Sequence, residues 1–296
     1  MPIDYREATP DDNHTLYRIF KESADDNLRR QGLGALVVDD PGALTARWLA
    51  LQPWFDYVAM TNDQSWVACD DGRAIGYARS TVRDGLQNLT EYFVLPSSQG
   101  QGVGGELLRR AFPNKGARRR SIHAANDMSA IVQYLRAGVY PRFPIRRFSR
   151  PAEHVPVATD LVAEPAAYDD ATTAAAVDDI DRVVVGHRRE VDHHFLSTSR
   201  QLIIYRRHGR PTGYIYHATV NGPAAMLDAA DFPAVLALAE GAAADRGEGF
   251  SVAVPLINRD AVDYLLGRRC QIGAFAGQFM TDEPFGRFEN LSLIHI

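Results

Sequence analysis

The residues whose types and spacing best suit chemistry lie in 89–112, LTEYFVLPSSQGQGVGGELLRRAF. A β-rich run ends at Leu95, and polar residues and glycines lead straight into an amphipathic helix carrying Leu107, Leu108 and Phe112. Without a Cβ, Gly100, Gly102 and Gly104 let the backbone approach a ligand closely and adopt positive φ. The first N–H groups of the following helix have no internal acceptor and lie at the positive end of its dipole. Together these make an anion site, most naturally for a pyrophosphate.

Three phosphate-binding patterns compete for this stretch. A P-loop needs Gly-Lys-Ser/Thr, and here Gly104 and Gly105 are followed by Glu106, which excludes it. The dinucleotide fingerprint G-x-G-x-x-G is met formally by Gly100, Gly102 and Gly105. It needs its first glycine right after the strand, but Pro96 to Gln99 intervene, and Asp127 suits a helix N-cap better than a ribose contact. The third pattern fits. Val94-x-Pro96-x-x-Gln99-Gly100-x-Gly102-x-Gly104 resembles the acetyl-CoA signature of the GCN5-related N-acetyltransferase (GNAT) superfamily. A second motif follows in the right order: Asp127, Ala130, Tyr134, Gly138 and Val139 match the family's N-x-x-A-x-x-x-Y-x-x-x-G-F, with Asp for Asn and Val for Phe. The resemblance covers residues 1–150 or so.

That resemblance implies a V-shaped opening between strand 89–95 and strand 120–125, with pantetheine pairing to the backbone of Phe93, Val94 and Leu95. The pyrophosphate would rest on the amides of Gln99, Gly100, Gln101, Gly102, Val103 and Gly104, with Asp127 at the family's conserved cofactor-side motif. Tyr134 takes the general-acid position beside the CoA sulfur, and a strand amide, that of Val94, would polarise the thioester carbonyl. A phenol near pKa ~10 protonating a thiolate near ~8.5 is uphill by roughly 2 kcal/mol, which a strengthening hydrogen bond can offset. Glu91 is the candidate base, or else a solvated strand residue; at a normal pKa near ~4.3 it would need water or an upward shift. Arg118–Arg120 either reach a 3′-phosphate or form a solvated basic turn. Trp48, Trp54 and Phe55, with Asp39 and Asp40, mark either an acceptor region or core.

The elements that must position these groups read as strand 3–8, helices 10–30 and 41–52, and strands 54–60, 65–70, 74–82 and 89–95. A helix at 103–112, strand 120–125, helix 127–137 and strand 140–149 complete the first half. This is an α/β class, an α+β mixed sheet.

The pattern then repeats. Gly72, Arg73, Gly76 and Tyr77 recur as Gly209, Arg210, Gly213 and Tyr214, all 137 positions on; Asp127, Ala130 and Tyr134 align with Asn258, Ala261 and Leu265, 131 positions on. Two correspondences in the same order point to duplication, hence two tandem GNAT-like domains, 1–150 and 157–296, joined by a proline-bearing linker. The second copy has lost the glycine loop: Asp228 and Asp231 stand where a phosphate would sit, Leu265 replaces Tyr134, and Arg269 and Cys270 replace the Gly-Val pair. It reads as degenerate. In VGHRREVDHHFLS, the spacing of His187, His193 and His194 gives no shared metal face, so a basic, solvated helix and no metal are expected.

Composition narrows the remaining classes. The 296 residues carry 32 Lys plus Arg against 37 Asp plus Glu, a net charge of −5, which argues against a nucleic-acid or polybasic membrane binder. At 46% hydrophobic and 23% charged the chain is ordinary for a globular protein, and no apolar run approaches the ~20 residues of a membrane span. Cys69 and Cys270 suggest neither a disulfide framework nor a metal knuckle, and a cytoplasmic location is expected. The resemblance implies an acetyl-CoA-dependent N-acetyltransferase acting on a small-molecule primary amine, as a monomer with an internal pseudo-dimer or as a homodimer. A non-catalytic acyl-CoA-binding module and a protein or peptide acetyltransferase are the alternatives.

Overall fold

The computed structural model describes residues 2–113 and 116–292, which divide into two units: residues 2–122 with 127–140, and 123–126 with 141–292. No helix among the described residues is long and apolar enough to cross a membrane.

The first unit runs β1 (Asp4–Glu7), α1 (Asn13–Arg30), α2 (Pro41–Thr61), β2 (Gln64–Asp70), β3 (Arg73–Arg83), β4 (Leu86–Val94), α3 (Val103–Ala111), β5 (Arg119–Ala125) and α4 (Met128–Arg136). Its strands lie in the order β1-β2-β3-β4-β5, antiparallel through β4 and parallel between β4 and β5. Alternation along β3 explains the layering. Gly76 and Ser80 face α3, where a Cβ on Gly76 would already lie 3.1 Å from Leu107, so small residues let the helix settle close. Tyr77 and Arg79 point to the opposite face, toward α1 and α2, where Arg79 bonds Asn13 and the Phe55 carbonyl. α3 buries Val103, Leu107, Leu108 and Ala111, the i, i+4, i+5, i+8 face of an amphipathic helix.

Residues 54–60, expected as a strand, instead continue α2 through Pro53. Their aromatic and β-branched composition suggested a strand, but Phe55 and Val58 bury themselves three residues apart on one helix face.

The second unit contains β6 (Tyr140–Pro151), β7 (Val162–Ala166), α5 (Ala171–Val184), α6 (Glu190–Ser197), β8 (Gln201–Arg207), β9 (Arg210–His217), β10 (Ala224–Met226), α7 (Phe232–Asp245), β11 (Gly249–Pro255), α8 (Arg259–Gly267), β12 (Gln271–Thr281) and β13 (Leu291–Ser292). One sheet runs β13-β10-β9-β8-β7, and β12, β6 and β11 are neighbours in another. β6 pairs antiparallel with β11 from Ile145↔Pro255 to Pro151↔Gly249. From Pro141 onward it groups with the second unit.

The duplication is visible in backbone detail. Hairpins β2–β3 and β8–β9 both turn on two positive-φ residues, Asp71-Gly72 and His208-Gly209, and both are bulged, at Ala68/Cys69 and Tyr205/Arg206. Every one of these positions is offset by 137. Val94 lies opposite Gly76 and Met226 opposite Gly213, making the three-residue β10 the remnant of β4.

Candidate functional site

The opening beside β4 is produced by a bulge. Arg79 pairs with Glu91 but Ser80 pairs with Leu89, so Thr90 is an extra residue on β4, and its Oγ1 donates to the Arg79 carbonyl at 3.0 Å. Pairing of β4 with β5 runs only from Leu86↔Arg119 to Leu89↔Ile122. Beyond the bulge, β4 has no β5 partner on that side.

Which β4 groups face the opening follows from the antiparallel alternation. Leu95 N–H donates to the Ile75 carbonyl at 2.8 Å, so Ile75/Leu95 and Tyr77/Phe93 are the bonded pairs. The pairs Gly76/Val94 and Ala78/Tyr92 turn their N–H and C=O groups away from β3, toward the opening. The Val94 carbonyl accepts from Ser23 Oγ at 3.1 Å and from Gln99 Nε2 at 3.0 Å. The backbone of Phe93 and Leu95 serves β3; that of Val94 serves the opening.

Gln99 thus ties the start of the glycine loop back to β4, and Gln101 Nε2 holds the Ser97 carbonyl at 3.2 Å. Gly100 and Gly102 have φ of 77° and 84°, and Gly102 is the N-cap of α3. Left-handed φ costs a residue with a side chain about 1–2 kcal/mol, which explains glycine at both. The first intrahelical bond runs from Glu106 N–H to Gly102 O, so the amides of Val103, Gly104 and Gly105 precede it. A Cβ on Gly104 would stand 2.3 Å from Tyr92 Oη.

Tyr134 on α4 is buried, its ring 5.8 Å from that of Tyr92. Burial pushes its phenol far above the ordinary value, with Tyr92 and Asp127 adding to the shift, so it stays protonated at neutral pH. Burial likewise lifts Tyr92 to about 12. Asp127 caps α4, accepting from Ser129 N–H at 2.9 Å and Ala130 N–H at 3.2 Å, and pairs with Arg30 at 3.0 Å. Its carboxylate is occupied by the protein.

Glu91 lies on the opposite face from Tyr92, buried with Arg79 and Tyr77. Arg79 Nη1 donates to one oxygen at 3.3 Å and Tyr77 Oη to the other at 3.2 Å, while Arg79 also holds Asn13 and Ser65. Burial pushes the Glu91 carboxyl up, against the pull of Arg79. The solvated-strand alternative for Glu91 is thereby corrected, because its side chain is only 5% exposed.

Other expectations sort themselves. Arg118 holds the Asp84 carbonyl and Arg120 the Ala137 carbonyl, so both are engaged within the unit. Phe55 is core, Asp40 caps α2 through Ala43 N–H, and Trp48 lines a cavity of about 520 Å³ with His14, Lys21, Asp25 and Asp39. Tyr92, Ser23 and Arg79 were not singled out from the sequence; for Tyr92, its place two residues before Val94 in a strand was the available signal.

In the second unit the corresponding loop is shorter: Val94 to Val103 spans nine positions, Met226 to Phe232 six. Asp228 caps Ala230 N–H, and Asp231, the N-cap of α7, pairs with Arg207 at 2.7 Å. A carboxylate already sits at the helix N-terminus. His193, expected on a solvated helix, is fully buried: its Nε2 lies 2.9 Å from Asp181 and its Nδ1 3.0 Å from Tyr216 Oη. Arg189 and Tyr214 complete that cluster. Among the described residues no group of three or more His, Cys, Asp or Glu is placed to hold a metal ion.

The family model described as an acetyltransferase (GNAT) domain matches residues 61–140, and the chain as a whole has the fold of two tandem GNAT-like domains. A putative acetyltransferase from Pyrococcus horikoshii superposes with a TM-score of 0.73 at 13% identity, covering 98% of this chain and 92% of that one. A GCN5-related N-acetyltransferase from Sphaerobacter thermophilus gives 0.60 at 15%, covering 95% and 96%. A tandem GNAT protein from the clavulanic acid biosynthesis pathway gives 0.51 at 13%, covering 96% and 100%. No curated protein matches the chain by sequence.

Proposed function

We propose that the first unit transfers an acetyl group from acetyl-CoA to a primary amine of a small molecule by direct attack, in the cytoplasm, and that the second unit does not bind the cofactor. The observation carrying this reading is the pairing of an outward-turned Val94 amide with a glycine-capped helix start nine residues later. Pantetheine would take the place of the missing strand beside Val94, and the pyrophosphate would accept from the amides at Gln99 to Gly104. The Val94 N–H would stabilise negative charge on the thioester oxygen as the amine attacks.

Tyr134, held protonated by burial, would give its proton to the departing thiolate; the nearby phenol of Tyr92 packs its ring in place. Glu91 would receive the amine proton through a water, since both its oxygens are engaged, and its upward-shifted carboxyl makes it a better base than an exposed glutamate. The acceptor would enter from the α1–α2 side. The test is acetyl-CoA titration into the whole chain followed by CoA release with a panel of amines: one binding equivalent and turnover with a small amine support the reading. Binding without turnover on any amine, peptides included, would favour the non-catalytic acyl-CoA module.

A further inference from the structure

A cavity of about 870 Å³ in the second unit lies apart from the candidate transfer site, and four arginines line it beside Glu153: Arg147 from β6, Arg150 at the end of the same strand, and Arg268 and Arg269 just past α8. Two of the four are neutralised. Arg150 pairs with Glu240 at 2.6 Å and Glu153 at 2.9 Å, and Arg268 pairs with the same two carboxylates at 3.0 and 2.6 Å. Arg147 and Arg269 are exposed, and their guanidinium groups have no hydrogen-bond or ion-pair partner among the described residues. Both paired arginines meet the fully buried carboxylate of Glu240.

Arg269 carries a second signal. Its φ is +56°, the left-handed region, and its counterpart in the first unit is Gly138 at φ +77°. The same helix-ending turn is thus built on glycine in one copy and on arginine in the other, at a conformational cost the glycine avoids. Arg269 thus keeps a backbone conformation that favours glycine while its residue lines the cavity.

We propose that this cavity binds a small organic molecule bearing a diphosphate group, with Arg147 and Arg269 each holding one phosphate. A guanidinium presents a planar fork that matches phosphate oxygens, and the volume is that of a metabolite site. Two free arginines from separate elements, β6 and the end of α8, call for two linked anionic groups. The site is independent of the transfer reaction and stands in the copy that lacks the glycine loop.

The probe is inorganic pyrophosphate, titrated calorimetrically into the full chain and into an Arg147→Gln/Arg269→Gly double variant. Glycine at 269 suits the positive φ, so the variant should melt no lower than the parent. The glycine loop of the first unit is untouched by both changes, so any binding there is common to the two proteins. The expected result is one further pyrophosphate equivalent in the parent, lost or weakened at least tenfold in the variant. Equal stoichiometry and affinity in the two proteins, or no binding to either, would overturn the proposal.

Discussion

The hydroxyl of Tyr92 lies 2.3 Å from the place a Cβ on Gly104 would occupy. The glycine loop and the β4 opening are therefore coupled through one side chain, and that side chain packs on Tyr134. Gly104→Ala should push Tyr92 toward Tyr134 and raise KM for acetyl-CoA about tenfold, a loss of about 1.4 kcal/mol of binding. Double substitution with Tyr92→Phe should recover most of it, because the clashing atom is gone; steady-state kinetics on the two proteins checks this.

Tyr134→Phe should lower kcat by roughly 100-fold while leaving KM for acetyl-CoA within a factor of about three, the scale of lost general-acid catalysis. The ring stays and only the proton donor leaves. An unchanged kcat would remove Tyr134 from the proton transfer.

Glu91→Gln strands the Arg79 guanidinium beside a neutral amide in a buried site. The cost should be about 3 kcal/mol, read from the denaturant midpoint, as when one partner of a buried ion pair is removed. The acidic limb of the kcat/KM profile should disappear in the same variant, whereas Tyr134→Phe should retain it. Loss of stability with an intact acidic limb would leave Glu91 a purely structural residue.

Acid should weaken the second unit through two of its histidines, the buried His187 and the half-buried His217. Burial, with Arg189 nearby, lowers His187 to about 4, and burial lowers His217 to about 4 as well. The unfolded chain takes up these protons near the ordinary value of about 6.5 and the folded chain does not, so stability is full above that pH and is lost as pH falls toward 4. His187, only 8% exposed, should contribute roughly 3 kcal/mol over the window. His187→Gln should flatten the fall in unfolding midpoint between pH 6.5 and 4; an unchanged slope would show that the imidazole is not responsible.

What was legible in the sequence is what local rules dictate. Glycines ahead of an amphipathic helix announce a left-handed cap, and Gly100 and Gly102 have positive φ. The Gly-Arg-x-x-Gly-Tyr repeat reports two copies of one hairpin because positive φ in the turn and the close approach at Gly76 and Gly213 both demand glycine. Long-range pairing was not legible. The bulge at Thr90 exists only relative to Arg79 and Ser80 on another strand, and the burial of His193 depends on Asp181 and Tyr216, 12 and 23 residues away. The allegiance of β6 is set by β11, about a hundred positions on, and no local pattern encodes it.

The three positions missing between Met226 and Phe232 close off a route of return. Had the second copy lost only its glycines, single codon changes would suffice to rebuild a phosphate cradle. With the loop shortened and Asp231 tied to Arg207, restoring it takes an insertion and the release of an ion pair together. On the proposed reading, the second copy is thereby free to drift toward other ligands without competing for the cofactor of the first.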